Sequence, residues 1–240
     1  MIHWIAVSVL LVLGMVVSVI KRKLTLRAAL TGGCVGMLVF AGGGYTGLVM
    51  LVVFFVLGTL ATSWKKEKKL VVVEGVLPAE RRNTGQVLAN GGVAALCGLL
   101  ALLDAKHAAM YQFMMAGSLA SATADTLSSE LGMVYGRRFY NIITWQPDIK
   151  GLDGVVSREG TVIGIAGALF MGLLFVLPGG AAERAWFVAL AGVAGNLADS
   201  VVGAVWERKH IIGNNLVNFI NTLFAALVAW TLWFLWMALQ

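Results

Sequence analysis

The chain has 240 residues, of which 59% are hydrophobic and only 12% are charged. Soluble domains carry about 25% charged residues, so this composition excludes an ordinary soluble enzyme and indicates an integral membrane protein. The formal net charge is +6, from 18 Lys and Arg residues against 12 Asp and Glu residues. The two cysteines, Cys34 and Cys97, lie in apolar segments and lack the spacing of a disulfide framework or a metal site.

Eight hydrophobic segments predict an all-α, polytopic transmembrane helix bundle that forms a single domain over residues 1–240. Each segment is near the ~20 residues that cross the hydrocarbon core of a bilayer. The second is rich in glycine, which leaves open a re-entrant segment and seven crossings instead of about eight. The segments are 2–20, 27–43, 46–64, 85–104, 109–134, 160–180, 185–206 and 215–238.

The basic residues predict the orientation of the bundle. With the N-terminus outside, 16 of the 18 Lys and Arg residues lie in cytoplasmic segments and only Lys106 and Arg184 lie outside. The first basic cluster follows the first hydrophobic segment instead of preceding it, which indicates a retained helix and not a signal peptide. The net charge therefore reflects topology and contact with anionic lipid headgroups, and it does not indicate nucleic acid binding. We expect a prokaryotic plasma membrane protein.

Two long cytoplasmic loops, 65–84 and 135–159, are predicted to form part of a functional site. The first begins with a cluster of lysines, and the second contains a turn-rich segment around Pro147 and Gly151.

The stretch from Gly117 to Gly136 places two carboxylates, Asp125 and Glu130, in a segment that is otherwise apolar enough to span a bilayer. Charge at membrane depth is costly and is functional by default. Small and hydroxyl side chains recur at helical spacing around Asp125, so one face of this helix is polar. The candidate site residues that accompany the two acids here are Ser121, Ser128 and Ser129.

Four further groups of polar residues flank or enter the later segments. They lie at the start of the fourth segment, before the sixth, inside the seventh and at the start of the eighth. In chain order they are Arg81, Arg82, Asn83, Gln86 and Asn90; Asp153 and Arg158; Asn196 and Asp199; and Asn214, Asn215 and Asn218.

The predicted topology brings all five groups to the cytoplasmic side. The fourth, sixth and eighth segments begin there, so the positive ends of their helix dipoles point to the same region. Carboxylates, amides, arginines and helix N-termini together suit a site for Mg²⁺ and phosphate. We predict Asp125, Glu130 and Asp199 as Mg²⁺ ligands and as the catalytic acids.

Each group also has a structural interpretation. The two acids of the fifth segment could pair with Arg137 or Arg138, and Asp153 could be a turn residue. Asn196 and Asp199 could join helices, the asparagines at 214–221 could cap and join helices, and Arg81 and Arg82 could only set the topology.

Five motifs in this chain resemble the integral membrane family known as domain of unknown function ninety-two. They occupy residues 81–92, 124–132, 151–157, 195–200 and 214–219. The family includes a plant phytyl-phosphate kinase of the vitamin E pathway. A shorter likeness, at Gly136-Arg137-Arg138-Phe139, is to CTP-dependent polyprenol kinases.

The resemblance implies a kinase that converts an isoprenoid alkyl monophosphate, such as phytyl or geranylgeranyl phosphate, to the diphosphate. CTP is the favoured donor among nucleoside triphosphates, and Mg²⁺ is the expected cofactor. Asn196, Asn214 and Asn218 would orient phosphates, and Arg81, Arg82 and Arg158 would neutralise them. Two alternatives remain: a transporter of a small anion or lipid phosphate, and a CTP-dependent cytidylyltransferase. The sequence leaves the oligomeric state open.

Overall fold

A computed structural model describes residues 1–69 and 81–238 and confirms the all-α polytopic bundle. Within these residues there are seven long helices, joined by short turns and one small β-hairpin. The helices are α1 (Ile2–Ile20), α2 (Leu26–Ser63), α3 (Thr84–Leu103), α4 (Ala108–Tyr135), α5 (Arg158–Val176), α6 (Ala182–Val202) and α7 (Asn214–Ala238).

Helix α2 is broken at Gly44, where φ is 60° and ψ is −154°. This conformation is open to glycine and strained for other residues. The chain folds back there, because the Lys23 ammonium before α2 donates to the Ser63 hydroxyl at its end, over 2.8 Å. A straight helix of 38 residues would hold its ends about 57 Å apart. The two halves therefore correspond to the second and third predicted segments.

The turn in α2 lies at the level of the start of α1 and α4. The His3 ring contacts the Tyr45 hydroxyl at 2.8 Å, and the Gln112 amide donates to the Gly42 carbonyl over 2.7 Å. The first half of α2 therefore runs the full depth of the bundle and is not a short re-entrant segment.

Six helices are long and apolar enough to cross a membrane, counting the described residues: α1, α2, α3, α5, α7 and α6 extended to Glu207. Helix α4 is also long, with 28 residues, and it carries the polar stretch. With the two halves of α2 counted separately, the bundle has eight helical segments, in agreement with the predicted count of about eight.

Helix α4 lies at the centre and packs against α2, α3, α5, α6 and α7. Its middle is fully buried at Phe113, Leu119 and Ala120, whereas α1 lies at the edge with most side chains exposed. Small residues allow the close approach that membrane helices need. A Cβ atom on Gly160 would lie 2.6 Å from the Ser128 carbonyl oxygen, so α5 contacts α4 through this glycine.

The loop 135–159 forms a small antiparallel β-hairpin, which the sequence analysis predicted only as turn-rich. Strands β1 (Phe139–Asn141) and β2 (Val155–Ser157) pair with Tyr140 opposite Val156. In the other predicted loop, 65–84, residues 70–80 lie outside the described part of the chain. The C-terminal end of this loop is anchored, because Arg82 exchanges backbone hydrogen bonds with the segment that precedes α2.

Candidate functional site

A cavity of about 460 Å³ opens at the end of the bundle where α1 ends. It is bounded by the C-terminal halves of α4 and α6, by the β-hairpin, and by the first turns of α3, α5 and α7. The helix axes diverge at this end, and polar side chains occupy the space between them.

Twelve of the seventeen predicted site residues line this cavity. They are Arg82, Gln86, Asn90, Asp125, Ser128, Ser129, Glu130, Asp153, Asn196, Asp199, Asn214 and Asn218. The structure therefore brings the five polar groups to one place, while the role of each residue stays a prediction.

Five predicted residues do not line the cavity: Arg81, Asn83, Ser121, Arg158 and Asn215. Asn83 is the N-cap of α3, because its side chain accepts from the Gln86 N–H. Arg158 is exposed at the start of α5, and the Asn215 amide lies against Gly85. The geometry of Asn83 is therefore that of a helix cap.

One wall of the cavity is acidic. The carboxyl groups of Asp125 on α4 and Asp199 on α6 face each other at hydrogen-bonding range. Below them, the Asn221 amide donates to Asp199 over 3.1 Å and accepts a hydrogen bond from the buried Ser121 hydroxyl. Ser121 thus orients Asp199 through Asn221. Two facing carboxylates repel each other unless a proton or a cation lies between them.

A third acid on this wall, Glu207, was not predicted. The sequence places it eight residues after Asp199, whereas two turns of α-helix need about seven. Helix α6 ends in a π-helical turn over Gly203–Glu207, and the wider turn returns Glu207 to the face of Asp199. The sequence signal for Glu207 was an acid about two helical turns after Asp199. It was overlooked because Arg208 and Lys209 follow directly and were assigned to a cytoplasmic segment.

Amide side chains extend this wall. The Ser128 hydroxyl donates to the Asn196 carbonyl oxygen over 3.1 Å, which fixes that amide across α4 and α6. At the start of α7, the Asn218 amide donates to Asn214 over 3.3 Å, and Asn214 lies beside Glu207. The arrangement presents several neutral donors and acceptors beside the carboxylates.

A second wall, called here the basic wall, is formed by Thr62, Arg82 and Glu130, and Lys69 pairs with Glu130 without lining the cavity itself. The Lys69 ammonium lies 2.7 Å from the Glu130 carboxylate, and both side chains are largely buried. The Arg82 guanidinium lies over Gly58 and contacts the Thr62 hydroxyl at 3.4 Å. Burial lowers the pKa of Arg82, and the nearby charge of Glu130 opposes that shift. Neither Lys69 nor Thr62 was predicted as a site residue. Lys69 belongs to a run of lysines that was explained by the membrane topology alone.

Three helices begin at the cavity. Gln86 of α3, Gly160 and Thr161 of α5, and Asn218 of α7 lie in the first two turns of their helices and line it. Helix N-termini carry partial positive charge and free N–H groups, which favour bound anions.

The predicted set of three metal ligands is not assembled. In the part of the chain that the structure describes, no three His, Cys, Asp or Glu side chains lie close enough to hold one metal ion. Glu130 belongs to the basic wall, where Lys69 neutralises it. The pair Asp125 and Asp199 still fits Mg²⁺, which is commonly bound by one or two carboxylates together with substrate phosphates.

The β-hairpin closes one side of the cavity. Gly154 has a φ of 72°, and a Cβ atom at this position would collide with Ala204 of α6. Burial raises the pKa of Asp153, whose side chain lines the cavity. The Arg208 guanidinium holds the pKa of Asp148 well below its usual range and ties the hairpin to the end of α6.

Residues 9–226 match the family model described as integral membrane protein DUF92. The chain belongs to this family. An uncharacterized membrane protein of Methanocaldococcus jannaschii is 33% identical over 92% of this chain and 91% of its own length. The chloroplastic protein VTE6 of Arabidopsis thaliana is 29% identical over 81% of this chain and 60% of its own. Protein PGR of Arabidopsis thaliana is 29% identical, over 85% of this chain and 87% of its own. No solved structure matches the chain.

Proposed function

We propose that the protein is a membrane-embedded kinase that converts an isoprenoid alkyl monophosphate to the diphosphate, with CTP or another nucleoside triphosphate as donor. The observation that carries this proposal is the cavity itself, which is lined by an acidic wall, a basic wall and the first turns of three helices. Phosphoryl transfer depends mainly on positioning and charge stabilisation, which such groups supply.

The acidic wall would hold Mg²⁺. Asp125, Asp199 and the Asn196 amide are the proposed ligands, and the bound ion would offset negative charge on the phosphate oxygens. The basic wall would take phosphate oxygens on Arg82, whose planar guanidinium binds them through two N–H groups. Asn214 and Asn218, at the start of α7, would orient the remaining phosphate groups.

The proposed reaction needs little general-base assistance. An oxygen of the acceptor monophosphate attacks the γ-phosphorus of the donor, the bond to the bridging oxygen breaks, and the nucleoside diphosphate leaves. The acceptor oxygen is already anionic near neutral pH because the second pKa of a phosphate monoester is about 6. The protein's task is therefore to align two anions and to neutralise their repulsion.

A lipid acceptor is supported by the path between cavity and membrane. Leu197 of α6 lines the cavity and is 44% exposed, and Thr161 of the neighbouring helix α5 lines the cavity as well. An alkyl chain could thus leave between α5 and α6 toward lipid while its phosphate stays inside. The family resemblance, which implies a prenyl phosphate substrate, supports the same class of acceptor.

We also propose that the cavity faces the cytoplasm of a prokaryotic cell. The basic segments lie at this end of the bundle, as expected for the inner side of a membrane. Nucleoside triphosphates are made in that compartment, so the donor would reach the cavity directly.

A product assay tests the proposal. Detergent-purified protein is incubated with geranylgeranyl or phytyl monophosphate, with CTP or ATP, and with Mg²⁺ or a chelator. The expected product is the isoprenyl diphosphate with release of nucleoside diphosphate, dependent on Mg²⁺. A nucleoside-linked lipid and released pyrophosphate would instead identify a cytidylyltransferase. No product with any chain or nucleotide, from protein that unfolds cooperatively, would contradict both enzymes.

A transporter of an anion or lipid phosphate is the second candidate function. The observation that favours it is a smaller cavity of about 260 Å³ at the opposite end of the bundle, which contains Arg184. Between the two cavities the Ser118 hydroxyl is buried and, within residues 1–69 and 81–238, has no hydrogen-bond partner. Flux of labelled phosphate or prenyl phosphate into protein-containing liposomes, without nucleotide, would support transport over catalysis.

A further inference from the structure

The second cavity lies at the end of the bundle where α1 begins. It is formed by the turn of α2, the first turns of α4 and the connection between α5 and α6. Polar groups in its lining include Thr46, Gln112 and Arg184. Neither the family nor the proposed kinase reaction assigns a role to this cavity.

Arg184 is the cation of this cavity. Its guanidinium lies over the ring of Trp236 at 4.0 Å and over that of Trp233 at 5.9 Å. Its Nε atom is buried and makes no hydrogen bond, and no carboxylate lies within 4 Å of its guanidinium nitrogens; both observations refer to residues 1–69 and 81–238. A buried N–H group without a partner costs about 1–3 kcal/mol, so its presence calls for a ligand.

The stacking explains how this cation is held without an acid. The tryptophan rings cover a face of the guanidinium and attract its charge. The N–H groups of a guanidinium lie in its plane, so stacking leaves its edge free to bind a second group. Such an edge matches phosphate and carboxylate oxygens in a two-point geometry.

The surroundings of Arg184 also suit an anion. The residue lies in the first turn of α6, where the helix dipole favours negative charge, and α6 has no side-chain N-cap. The cavity lining includes four glycines, at positions 43, 47, 179 and 180, which keep the space open beside the polar groups.

We propose that this cavity binds a phosphate group through Arg184 on the side of the membrane opposite the kinase site. The group is the headgroup phosphate of a lipid in that leaflet or a soluble phosphate, since both present the same oxygens. The inference does not depend on the proposed reaction, because none of its residues lines the larger cavity.

Ligand-induced stabilisation tests the proposal. Thermal unfolding of the purified chain in neutral detergent is followed while inorganic phosphate is added in one series. Phosphatidylglycerol is added in a second series, with phosphatidylcholine as its reference. The background carries Arg82→Gln, so that phosphate in the larger cavity contributes little. At least one probe should stabilise the chain saturably, and the responding probe identifies the source of the phosphate.

Variants make the test specific. Arg184→Gln should weaken the response at least tenfold, and Arg184→Lys should weaken it less because the charge remains. Lys106→Gln, which removes the other Lys or Arg predicted on this side, should leave the response unchanged. If Arg184→Gln does not fold, Thr46→Leu fills the cavity while keeping the cation and should also abolish the response. No stabilisation of the parent chain, or equal stabilisation of Arg184→Gln, would overturn the proposal.

Discussion

Helix α4 carries two carboxylates five residues apart, and the structure places them in different surroundings. Glu130 is neutralised by Lys69 at 2.7 Å and lies near Arg82. Asp125 faces another acid, Asp199, and makes no salt bridge with a described residue. A paired charge needs nothing further, whereas facing acids need a cation or a proton.

The difference separates two roles that the sequence could not separate. Both residues are acids at membrane depth, and both were predicted as metal ligands. We propose Asp125 and Asp199 as the metal-binding pair. Glu130 instead holds Lys69, whose ammonium also donates to the Ala61 and Thr62 carbonyls at the end of α2.

Asp125→Asn should lower the rate of phosphoryl transfer about 1,000-fold, the scale of removing a preorganised charged group from a transition state. It should not lower the melting temperature, because it removes repulsion between Asp125 and Asp199. Initial rates and thermal unfolding measure the two effects. Glu183→Gln, an exposed acid at the other end of the bundle, is the matched control and should keep full activity. Wild-type activity in Asp125→Asn would contradict the proposal that the acidic wall binds the metal ion.

Arg82→Gln should reduce kcat/KM about 100-fold, since a charge-assisted contact to phosphate contributes on the order of 3 kcal/mol. Arg82→Lys keeps the charge but loses the two-point geometry and should recover only part of the loss. Steady-state kinetics with varied donor and acceptor would show which phosphate Arg82 contacts. Equal kinetics of the wild type and Arg82→Gln would exclude a phosphate at the basic wall.

Glu130→Gln and Lys69→Met should each destabilise the protein by about 2 kcal/mol, because each leaves a largely buried partner without its counter-charge. The double variant should be more stable than the sum of the single effects predicts. Denaturant or thermal unfolding of the four proteins measures this coupling. Additive losses would mean that the contact contributes nothing. If Glu130→Gln lowers the Mg²⁺ affinity as much as Asp125→Asn does, Glu130 is a metal ligand after all.

The Asp148–Arg208 pair should make stability depend on acid pH. The pKa of Asp148 is lowered in the folded protein, so its contribution is present above the unfolded value, ~4, and is lost as pH falls below it. The wild type should therefore be more stable than Asp148→Asn at neutral pH, with the difference closing below pH ~4. Melting temperatures of both proteins across pH test this. A constant difference down to the lowest pH would exclude the ion pair as its cause.

The fold was predictable because composition and segment length decide it. Eight apolar stretches separated by charge leave few alternatives in a bilayer. The break at Gly44 agrees with the predicted boundary between the second and third segments, 27–43 and 46–64, whereas the depth of the glycine-rich second segment could not be predicted. The two short strands were missed because three-residue pairs carry no usable period.

The site was predictable to the extent that charge at membrane depth signals function. Polar residues at membrane depth identify Asp125, Asp199 and three amides that line the cavity, Asn196, Asn214 and Asn218. Glu207 and Lys69 were missed, because the position of Glu207 depends on a π-helical turn and the partner of Lys69 is 61 residues away. Ser121 was included but lies outside the lining and acts through Asn221. Sequence spacing gives the face of a helix, whereas the partner across the bundle depends on packing.

The most direct test follows the position of the transferred phosphorus. CTP labelled at either the γ- or the α-phosphate is incubated with protein, Mg²⁺ and an isoprenyl monophosphate, and the lipid product is isolated. A kinase transfers the γ-label alone, and Asp125→Asn should lose the transfer while Glu183→Gln keeps it. Label from the α-phosphate in the lipid, or γ-transfer that survives Asp125→Asn, would contradict the proposed reaction or its site.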